Sequence, residues 1–184
     1  MKIAIVGGGG LTQAFVDNYP EYQCTVFERQ HYDISERQQC DLLIDQLINY
    51  DSIIISAGSM NDDTWNIWLV NTVAPCYILE QLITKGYQNR VVMISSNAGN
   101  WTSWPEINFA RLVYNNSKHA ISHLISGVDQ GELFKNCVVV EPSRFYSRMS
   151  NYQGEDVKVI AEAVNLALTN KLGLKTVVIA KKLV

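Results

Sequence analysis

The stretch "KIAIVGGGGLTQAFV", residues 2–16, decides the fold. An apolar run at 2–6 ends at four consecutive glycines, and helical spacing follows directly over 11–19. A strand, a glycine turn and a helix in this order are typical of the first unit of a doubly wound sheet. Glycine has no Cβ, so such a turn can bring backbone N–H groups against an anion at the helix N-terminus. We therefore interpret this turn as a phosphate cradle for a dinucleotide, formed by Gly7, Gly8, Gly9, Gly10 and Leu11. A merely flexible turn is the alternative.

Strand-like and helix-like segments alternate along the rest of the chain. Further strands are predicted at 24–28, 52–56, 90–95, 137–141 and 175–180, and helices at 36–50, 63–86, 111–127 and 156–171. Strands that are apolar on both faces and are separated by helices predict a parallel sheet covered on both sides. The expected fold class is α/β, a Rossmann-type doubly wound parallel sheet with helices on both faces, in a single domain over 1–184.

Two local features refine the predicted helices. In helix 36–50 the apolar side chains of Leu42, Leu43, Leu47 and Ile48 are expected to form one helical face. Gly86 follows the long helix 63–86 closely enough to cap its C-terminus, because glycine readily adopts the left-handed conformation found there.

Composition excludes several classes of protein. Hydrophobic residues make up 47% of the chain, charged residues make up 18%, and the net charge of -3 gives no reason to expect a nucleic-acid partner. No apolar segment approaches the roughly 18 residues of a membrane span, and the N-terminal apolar run is too short for a signal peptide. The four cysteines lie far apart, which favours free thiols in a reducing cytoplasm over disulfides or metal ligands. His119 and His123 lack a nearby third ligand, so surface or interface histidines are expected rather than a metal site.

A charged pair follows the second predicted strand. Glu28 lies 18 residues after Gly10, close to the spacing of about 20 at which a carboxylate binds the adenosine ribose hydroxyls of NAD. Arg29 could instead pair with the 2′-phosphate of NADP. The pattern favours NAD and leaves NADP open; an ordinary solvated charge pair is the alternative.

Several polar residues are expected at the carboxyl edge of the sheet. The strand 90–95 brings Ser96 there, and the strand 52–56 brings the "SAG" turn that contains Ala57 and Gly58. Tyr114 and Lys118 are four residues apart and therefore share one face of a predicted helix. A tyrosine four residues before a lysine is a weak motif alone, so its meaning depends on this surrounding set.

The ordered set resembles the short-chain dehydrogenases/reductases. The motifs that carry the resemblance run in the family's order over almost the whole chain: "GGGGLTQA", "YDIS", "SAG", "VNTVAP", "VVMISSNAG", "YNNSK" and "VEPS". The resemblance implies a catalytic set of Asn71, Ser96, Tyr114 and Lys118. It implies an NAD or NADP site formed by the glycine turn with Leu11, Glu28, Arg29, Asp33, Ile34, Ala57, Gly58, Tyr114, Lys118 and Pro142. It also implies a homodimer or homotetramer through the helices that carry Asn71 and Tyr114.

The implied chemistry is hydride transfer between a nicotinamide and a small carbonyl or alcohol. Tyr114 would exchange the proton of the substrate oxygen, and Ser96 would hold that oxygen. An ammonium about 4 Å from Tyr114 would nominally lower the pKa of the phenol by roughly 3 units, so Lys118 is expected to lower it. Asn71 would hold a water that links Lys118 to solvent.

The sequence departs from the family's pattern in several places. Only four residues separate Glu28 from Asp33, so the helix of the second crossover is expected to be almost absent. Ser96 and Tyr114 are 18 positions apart, which is longer than the family's usual spacing. Ser143 replaces the glycine of the family's Pro-Gly pair. Trp101 and Trp104 lie in a long loop, 97–110, where they would form a substrate-facing wall or an oligomer contact.

Two other functions remain open on the sequence. One is a non-catalytic NAD(P)-binding regulator or redox sensor, which would need only the phosphate cradle and the ribose contacts. The other is a sugar-nucleotide reductase or epimerase-like protein, although a C-terminal substrate domain of that kind is missing here.

Overall fold

The sheet has six strands that all run in the same direction. A computed structural model of the protein describes residues 1–60, 63–97, 109–130, 136–143, 154, 156–170 and 175–179. The strands are β1 (Lys2–Val6), β2 (Gln23–Phe27), β3 (Ser52–Ile55), β4 (Arg90–Ile94), β5 (Cys137–Glu141) and β6 (Thr176–Val178). Their spatial order is β2-β1-β3-β4-β5-β6, and every neighbouring pair is parallel. The doubly wound α/β sheet predicted from the sequence is confirmed.

The helices alternate with the strands. They are α1 (Gly10–Asn18), α2 (Arg37–Leu47), α3 (Thr64–Trp68), α4 (Ala74–Thr84), α5 (Phe109–Gln130) and α6 (Val157–Thr169). A π-helical segment, Leu69–Val73, joins α3 to α4, so these three pieces form one continuous helix. The predicted helices agree with this arrangement to within a few residues at each end.

Two hydrophobic cores cover the two faces of the sheet. Val6, Ile55 and Met93 point to one face, where they belong to the same cluster as apolar residues of α2, α4 and α5. Ile5 and Ile54 point to the other face and cluster with apolar residues of α1 and α6. Successive strand residues face opposite sides of a sheet, so strands that are apolar throughout require helices on both sides.

The apolar face of α2 differs from the predicted one. Leu43 and Leu47 are buried as expected, but the side chains of Leu42 and Ile48 are 58% and 40% exposed. The buried set is Cys40, Leu43, Ile44 and Leu47, which has the i, i+3, i+4, i+7 spacing of one helical stripe. The predicted face was wrong because Leu42 and Leu43 are neighbours, which an α-helix turns about 100° apart.

The continuous helix Thr64–Thr84 ends as the sequence indicates. Gly86 has φ +76°, its N–H donates to the Ile83 carbonyl, and the N–H of Tyr87 donates to the Leu82 carbonyl. These two bonds are the Schellman pattern of a helix C-terminus. The helix is long and apolar enough, at mean hydropathy 1.2, to qualify as a membrane span, so the expectation that no segment approaches that length was wrong. Of its 18-residue apolar window, 44% is buried inside the protein.

The strand order reverses beside β1, because β2 lies on one side of it and β3 on the other. Residues 28–36, between β2 and α2, contain no helix or strand. The second crossover nevertheless keeps a helix of 11 residues, α2, so the prediction that its helix is almost absent was wrong. In open parallel sheets, ligands bind outside the carboxyl ends of the strands at such a reversal. The segments after β1, β2 and β3 therefore form the candidate site, together with those after β4 and β5.

Candidate active site

The turn after β1 begins at a position, Gly7, that has room for backbone only. Gly7 has φ +110°, and a Cβ added there would lie 2.7 Å from the backbone nitrogen of Ala57. At Gly8 a Cβ would lie 2.9 Å from Oε1 of Glu28. Two hydroxyls, which the sequence analysis did not single out, fix this turn: Thr12 donates to the Gly7 carbonyl at 2.5 Å, and Ser56 donates to it at 3.2 Å. The first glycine is therefore required by the fold itself.

The N-terminus of α1 fits an anion such as a pyrophosphate. Gly9 is the N-cap residue and supplies no side-chain hydrogen bond, and the first turn of α1 contains no acidic residue. Added Cβ atoms at Gly9 and Gly10 would meet nothing within 4 Å, so the cradle is open on this side. Free N–H groups and the positive end of the helix dipole suit negative charge. The side chain of Leu11 is buried in the core beneath α1, so only its backbone is available to such an anion.

The charged residues after β2 point to different partners. The carboxylate of Glu28 lies beside Gly8 and accepts a hydrogen bond from Gln30 at 2.8 Å. Nε of Arg29 forms an ion pair with Oδ2 of Asp33 at 3.0 Å. Thus Glu28 is oriented toward the glycine turn, whereas Arg29 is paired along its own segment.

Asp33 and Ile34, which the resemblance assigns to the NAD or NADP site, lie in the connection from β2 to α2. Asp33 accepts hydrogen bonds from the backbone and the hydroxyl of Ser35. The pKa of Asp33 is lowered, because its hydrogen bonds with Ser35 and the charge of Arg29 outweigh the opposing effect of burial. Ile34 is buried in the core with α2, and its carbonyl accepts from the Cys40 thiol. Asp33 is thus placed at the surface of the candidate nucleotide site, and the Ile34 side chain belongs to the core.

Ser96 and Tyr114 meet despite their long separation in sequence. Their side chains share a hydrogen bond, which stabilises the phenolate and opposes a stronger effect of burial. The net effect is a raised pKa for Tyr114, because burial penalises the charged phenolate. The expectation that Tyr114 has a lowered pKa is therefore wrong for the protein's own groups.

Lys118 is buried at the carboxyl edge of the sheet. Its Nζ donates to the carbonyl of Ile94 at 3.1 Å and to that of Ala57 at 3.4 Å. Burial lowers the pKa of Lys118 to about 8, since desolvation disfavours the ammonium form. A Cβ added at Gly58 would lie 3.2 Å from Nζ, so the absence of a side chain there makes room for the amine.

Asn71 bridges two segments of the site from the π-helical turn. Its Oδ1 accepts from the Ser59 N–H at 2.7 Å, and its Nδ2 donates to the Ser59 carbonyl at 2.8 Å and to the Ser117 hydroxyl at 3.0 Å. Both amide protons are thereby used, and Oδ1 keeps one lone pair. The structure shows Asn71 as an anchor between the loop after β3 and helix α5; its link to a water remains a prediction.

The segments after β4 and β5 complete the carboxyl edge of the sheet. Pro142 is buried, and its carbonyl accepts from the backbone N–H of Asn97. Ser143, in place of the family's glycine, is buried, and its hydroxyl has no hydrogen-bond partner. A buried orphan hydroxyl is costly, so an additional polar partner would fit at this point. Trp101 and Trp104 lie outside the described residues.

The candidate metal ligands form no centre in the part of the chain that the structure describes. His119 and His123 pack edge to face with ring centroids 5.0 Å apart. No group of three or more histidine, cysteine, aspartate or glutamate side chains is placed to hold a metal among the described residues. All four cysteines are free.

Comparison with known proteins places the fold. No family model and no curated protein matches the sequence. Among solved structures, the chain is similar to 3-alpha-hydroxysteroid dehydrogenase from Pseudomonas sp. B-0831 complexed with NADH, at TM-score 0.79 and 15% identity over 97% of this chain and 94% of that one. It is also similar to a short chain dehydrogenase from Burkholderia cenocepacia J2315 in complex with NADP, at TM-score 0.77 and 16% identity over 97% and 88%.

The chain has the short-chain dehydrogenase/reductase fold. A third example, 3-ketoacyl-(acyl-carrier-protein) reductase from Brucella melitensis complexed with NADH, has TM-score 0.73 and 14% identity over 96% of this chain and 94% of that one. Sequence identities this low show the shared fold alone. The chemistry has to be argued from this chain's own site.

The buried amine of Lys118 should make stability depend on pH. Its pKa is 10.5 in the unfolded chain and about 8 in the folded one, so the unfolded chain binds more protons between these values and wild-type stability rises with pH there. Below pH 8 the folded chain bears the full free-energy cost of burying the charged amine. Relative to wild type, Lys118→Met should therefore lose about 3 kcal/mol of unfolding free energy between pH 8 and pH 10.5. Urea denaturation at successive pH values measures this difference.

The matched control is Lys158→Met, which removes an exposed lysine from α6. Its unfolding free energy should run parallel to that of wild type over the same pH range. Parallel curves for Lys118→Met as well would show that the amine of Lys118 is not buried in the folded chain.

Proposed function

We propose that this chain is an NAD(P)-dependent oxidoreductase of the short-chain dehydrogenase/reductase type that transfers hydride between the nicotinamide and a small carbonyl or alcohol compound. The observation that carries the proposal is the side-chain hydrogen bond between Ser96 and Tyr114, with the buried amine of Lys118 one helical turn away. This set lies at the same sheet edge as the glycine turn, whose shape suits a pyrophosphate. The proposal includes a single NAD(P)-binding domain over 1–184.

Ser96 and Tyr114 would act on the substrate oxygen. A bound nicotinamide would supply the hydride. Ser96 would hold the substrate oxygen next to the Tyr114 hydroxyl, and the phenol would donate its proton to that oxygen as negative charge develops on it. Burial raises the pKa of Tyr114, which favours the protonated phenol, the proton donor in carbonyl reduction. In alcohol oxidation the same group would accept the proton, so the proposal covers both directions.

Lys118 and Asn71 would support this centre. The Lys118 amine would bind ribose hydroxyls of the nicotinamide nucleoside and add positive charge near the developing oxyanion. Asn71 fixes the loop that carries Gly58 and Ser59, and Gly58 faces the Lys118 amine. Asn71 thus supports the space that the amine occupies.

Replacement of Tyr114 tests the reaction. Tyr114→Phe removes the proton donor and should lower kcat for carbonyl reduction by about 10²–10⁴-fold, the usual contribution of a general acid. A panel of small aldehydes and ketones with NADH and NADPH supplies the assay, and nicotinamide fluorescence should show cofactor binding retained. Tyr22→Phe is the matched control, because it removes a phenol, in the turn before β2, that donates to Asn165 of α6 at 2.9 Å.

Two results would contradict this function. Unchanged turnover in Tyr114→Phe would exclude Tyr114 as the proton donor. Cofactor binding without turnover of any carbonyl compound would favour a regulatory or redox-sensing protein, and turnover confined to sugar nucleotides would favour the reductase or epimerase-like alternative.

We further propose that the cofactor is NAD in preference to NADP. The Glu28 carboxylate faces the glycine turn, where it would accept bonds from ribose hydroxyls and repel a 2′-phosphate. Arg29 is paired with Asp33, which offsets the attraction of its guanidinium for that phosphate. A weak NADP site nevertheless remains compatible with this arrangement.

Glu28→Ser tests the preference. Loss of the carboxylate should raise the Kd for NADH about tenfold or more, because a hydrogen bond to a charged group contributes about 1.5–3 kcal/mol. Binding of NADPH should strengthen at the same time. Glu21→Ser, on an exposed turn before β2, is the control and should change neither. Tighter binding of NADPH than of NADH by the wild-type chain would contradict the preference.

We also propose a homodimer or homotetramer. Four large apolar side chains on the helices that carry Asn71 and Tyr114 are exposed: Trp65, Val73, Phe109 and Leu112. Large apolar side chains left exposed on these helices would be covered if the helices packed against a second copy of the chain. Sedimentation equilibrium should give a multiple of the 20.7 kDa chain mass, and Val73→Asp should lower the measured mass. A monomer mass for the wild-type chain would contradict the proposal.

A cytoplasmic location, expected from the free thiols, stays a prediction.

A further inference from the structure

Three hydroxyl groups hold one turn of α5 between Tyr114 and Lys118. The Ser117 hydroxyl donates to the Tyr114 carbonyl at 2.8 Å, and the Thr72 hydroxyl donates to the Ser117 carbonyl at 2.8 Å. The Ser95 hydroxyl donates to the Lys118 carbonyl at 2.6 Å. We call Thr72, Ser95 and Ser117 the hydroxyl clamp. Its members act on the backbone of the turn that carries both Tyr114 and Lys118.

Each member of the clamp lies next to a residue of the candidate site. Thr72 follows Asn71 in the π-helical segment, Ser95 precedes Ser96 at the end of β4, and Ser117 precedes Lys118 in α5. Asn71 also donates to the Ser117 hydroxyl at 3.0 Å. The clamp therefore ties together the three segments that supply the four proposed catalytic residues.

The π-helical segment brings two neighbouring side chains to the same partner. Asn71 binds the hydroxyl of Ser117, and Thr72 binds its carbonyl. Consecutive side chains of a regular α-helix point about 100° apart. Single-turn π segments are rare in proteins, and many of those that occur lie at functional sites. Here the π-helical segment supplies two hydrogen bonds to Ser117, the residue that precedes Lys118.

The clamp does not serve the helix backbone alone. Carbonyls inside an α-helix already accept the N–H four residues ahead, so the added hydroxyl bonds are second bonds to satisfied groups. Ser117 is fully buried and Ser95 nearly so, and an apolar side chain could fill such space without needing a partner. Hydrogen bonds are directional and apolar contacts are not. The bonds of the clamp therefore fix the position of α5 along β4 and along the π-helical segment.

Position matters because the proposed reaction depends on geometry. A misplacement of about 1 Å can cost about 10²-fold in rate. We propose that Thr72 and Ser117 are positioning residues, which set Tyr114 and Lys118 relative to Ser96 through the clamp. This inference rests on the proposed function, because it assigns a part in the same reaction to residues that do not touch the substrate.

Hydroxyl deletion tests the clamp in the full-length chain. Thr72→Val and Ser117→Ala should each lower kcat for the best carbonyl substrate of the wild-type chain by about 10–100-fold. KM for that substrate and Kd for NADH should stay near wild type, because the binding groups themselves remain. Thr72→Ser keeps the hydroxyl and should restore kcat. The double variant should cost less than the two effects combined, since both changes act on Ser117.

The matched control is Thr84→Val. It removes another threonine hydroxyl bonded to a helix carbonyl, that of Glu80 at 2.9 Å, on the exposed end of α4 away from the site. Its kcat should equal that of wild type. Unchanged kcat in Thr72→Val and Ser117→Ala would overturn the proposal. So would a loss of kcat that Thr84→Val shares, or one that always accompanies weaker NADH binding, because that would indicate general loosening of the fold.

A second readout needs no turnover, which separates failure of the clamp from failure of the proposed function. In chains labelled with ¹³C at lysine Cε, the Lys118 signal is identified by its loss in Lys118→Met, and its pH titration reports the pKa of about 8. Thr72→Val and Ser117→Ala should move this pKa upward toward the ordinary lysine value, as the loosened turn admits water to the amine. A titration identical to that of wild type would overturn the clamp even if the chain turns over no carbonyl compound.

Discussion

The contact between Gly7 and the backbone of Ala57 is the constraint on which the site depends. Two strand ends meet here at the reversal of the sheet order, and the space between them is too narrow for a Cβ. Ala57 in turn offers its carbonyl to the amine of Lys118. The glycine turn and the candidate catalytic lysine thus both contact Ala57, in the loop after β3. A shift of the glycine turn would therefore move an acceptor of the Lys118 amine.

The electrostatics of the site follow from burial more than from pairing. Lys118 is held by two carbonyl dipoles, and Tyr114 shares a hydrogen bond with Ser96. Burial shifts the pKa values of Tyr114 and Lys118 toward their neutral forms, upward for the phenol and downward for the amine. At pH 7 the Lys118 amine is still mostly protonated, because its pKa of about 8 lies above that pH, so the site keeps one buried positive charge.

Much of this arrangement could be predicted from sequence because it follows local patterns. The apolar runs 2–6 and 137–141 are strands with those same bounds, and the four-residue spacing put Tyr114 and Lys118 on one helix. The buried stripe of α2 was partly misassigned because two leucines in succession satisfy several stripes equally well. The pKa of Tyr114 could not be predicted from spacing, since it depends on how much water the packed helices exclude from the phenol.

The hydroxyl bonds were beyond prediction for another reason. Serine and threonine are ordinary residues at strand ends and on helices, so nothing in "ISS" or "NNSK" indicates which carbonyl each hydroxyl binds. Those partners are set by how three distant segments pack, and only the structure shows that Thr72, Ser95 and Ser117 converge on one turn.

The same packing explains why the long separation of Ser96 and Tyr114 does not keep them apart. The cost of closing a loop grows slowly with its length, so a few extra residues between two anchored ends add little. Ser95 holds the Lys118 carbonyl at one end of the connection, and the next residue, Ser96, is then within reach of Tyr114 one helical turn earlier. The distance between Ser96 and Tyr114 is therefore set by this anchor rather than by the length of the intervening chain.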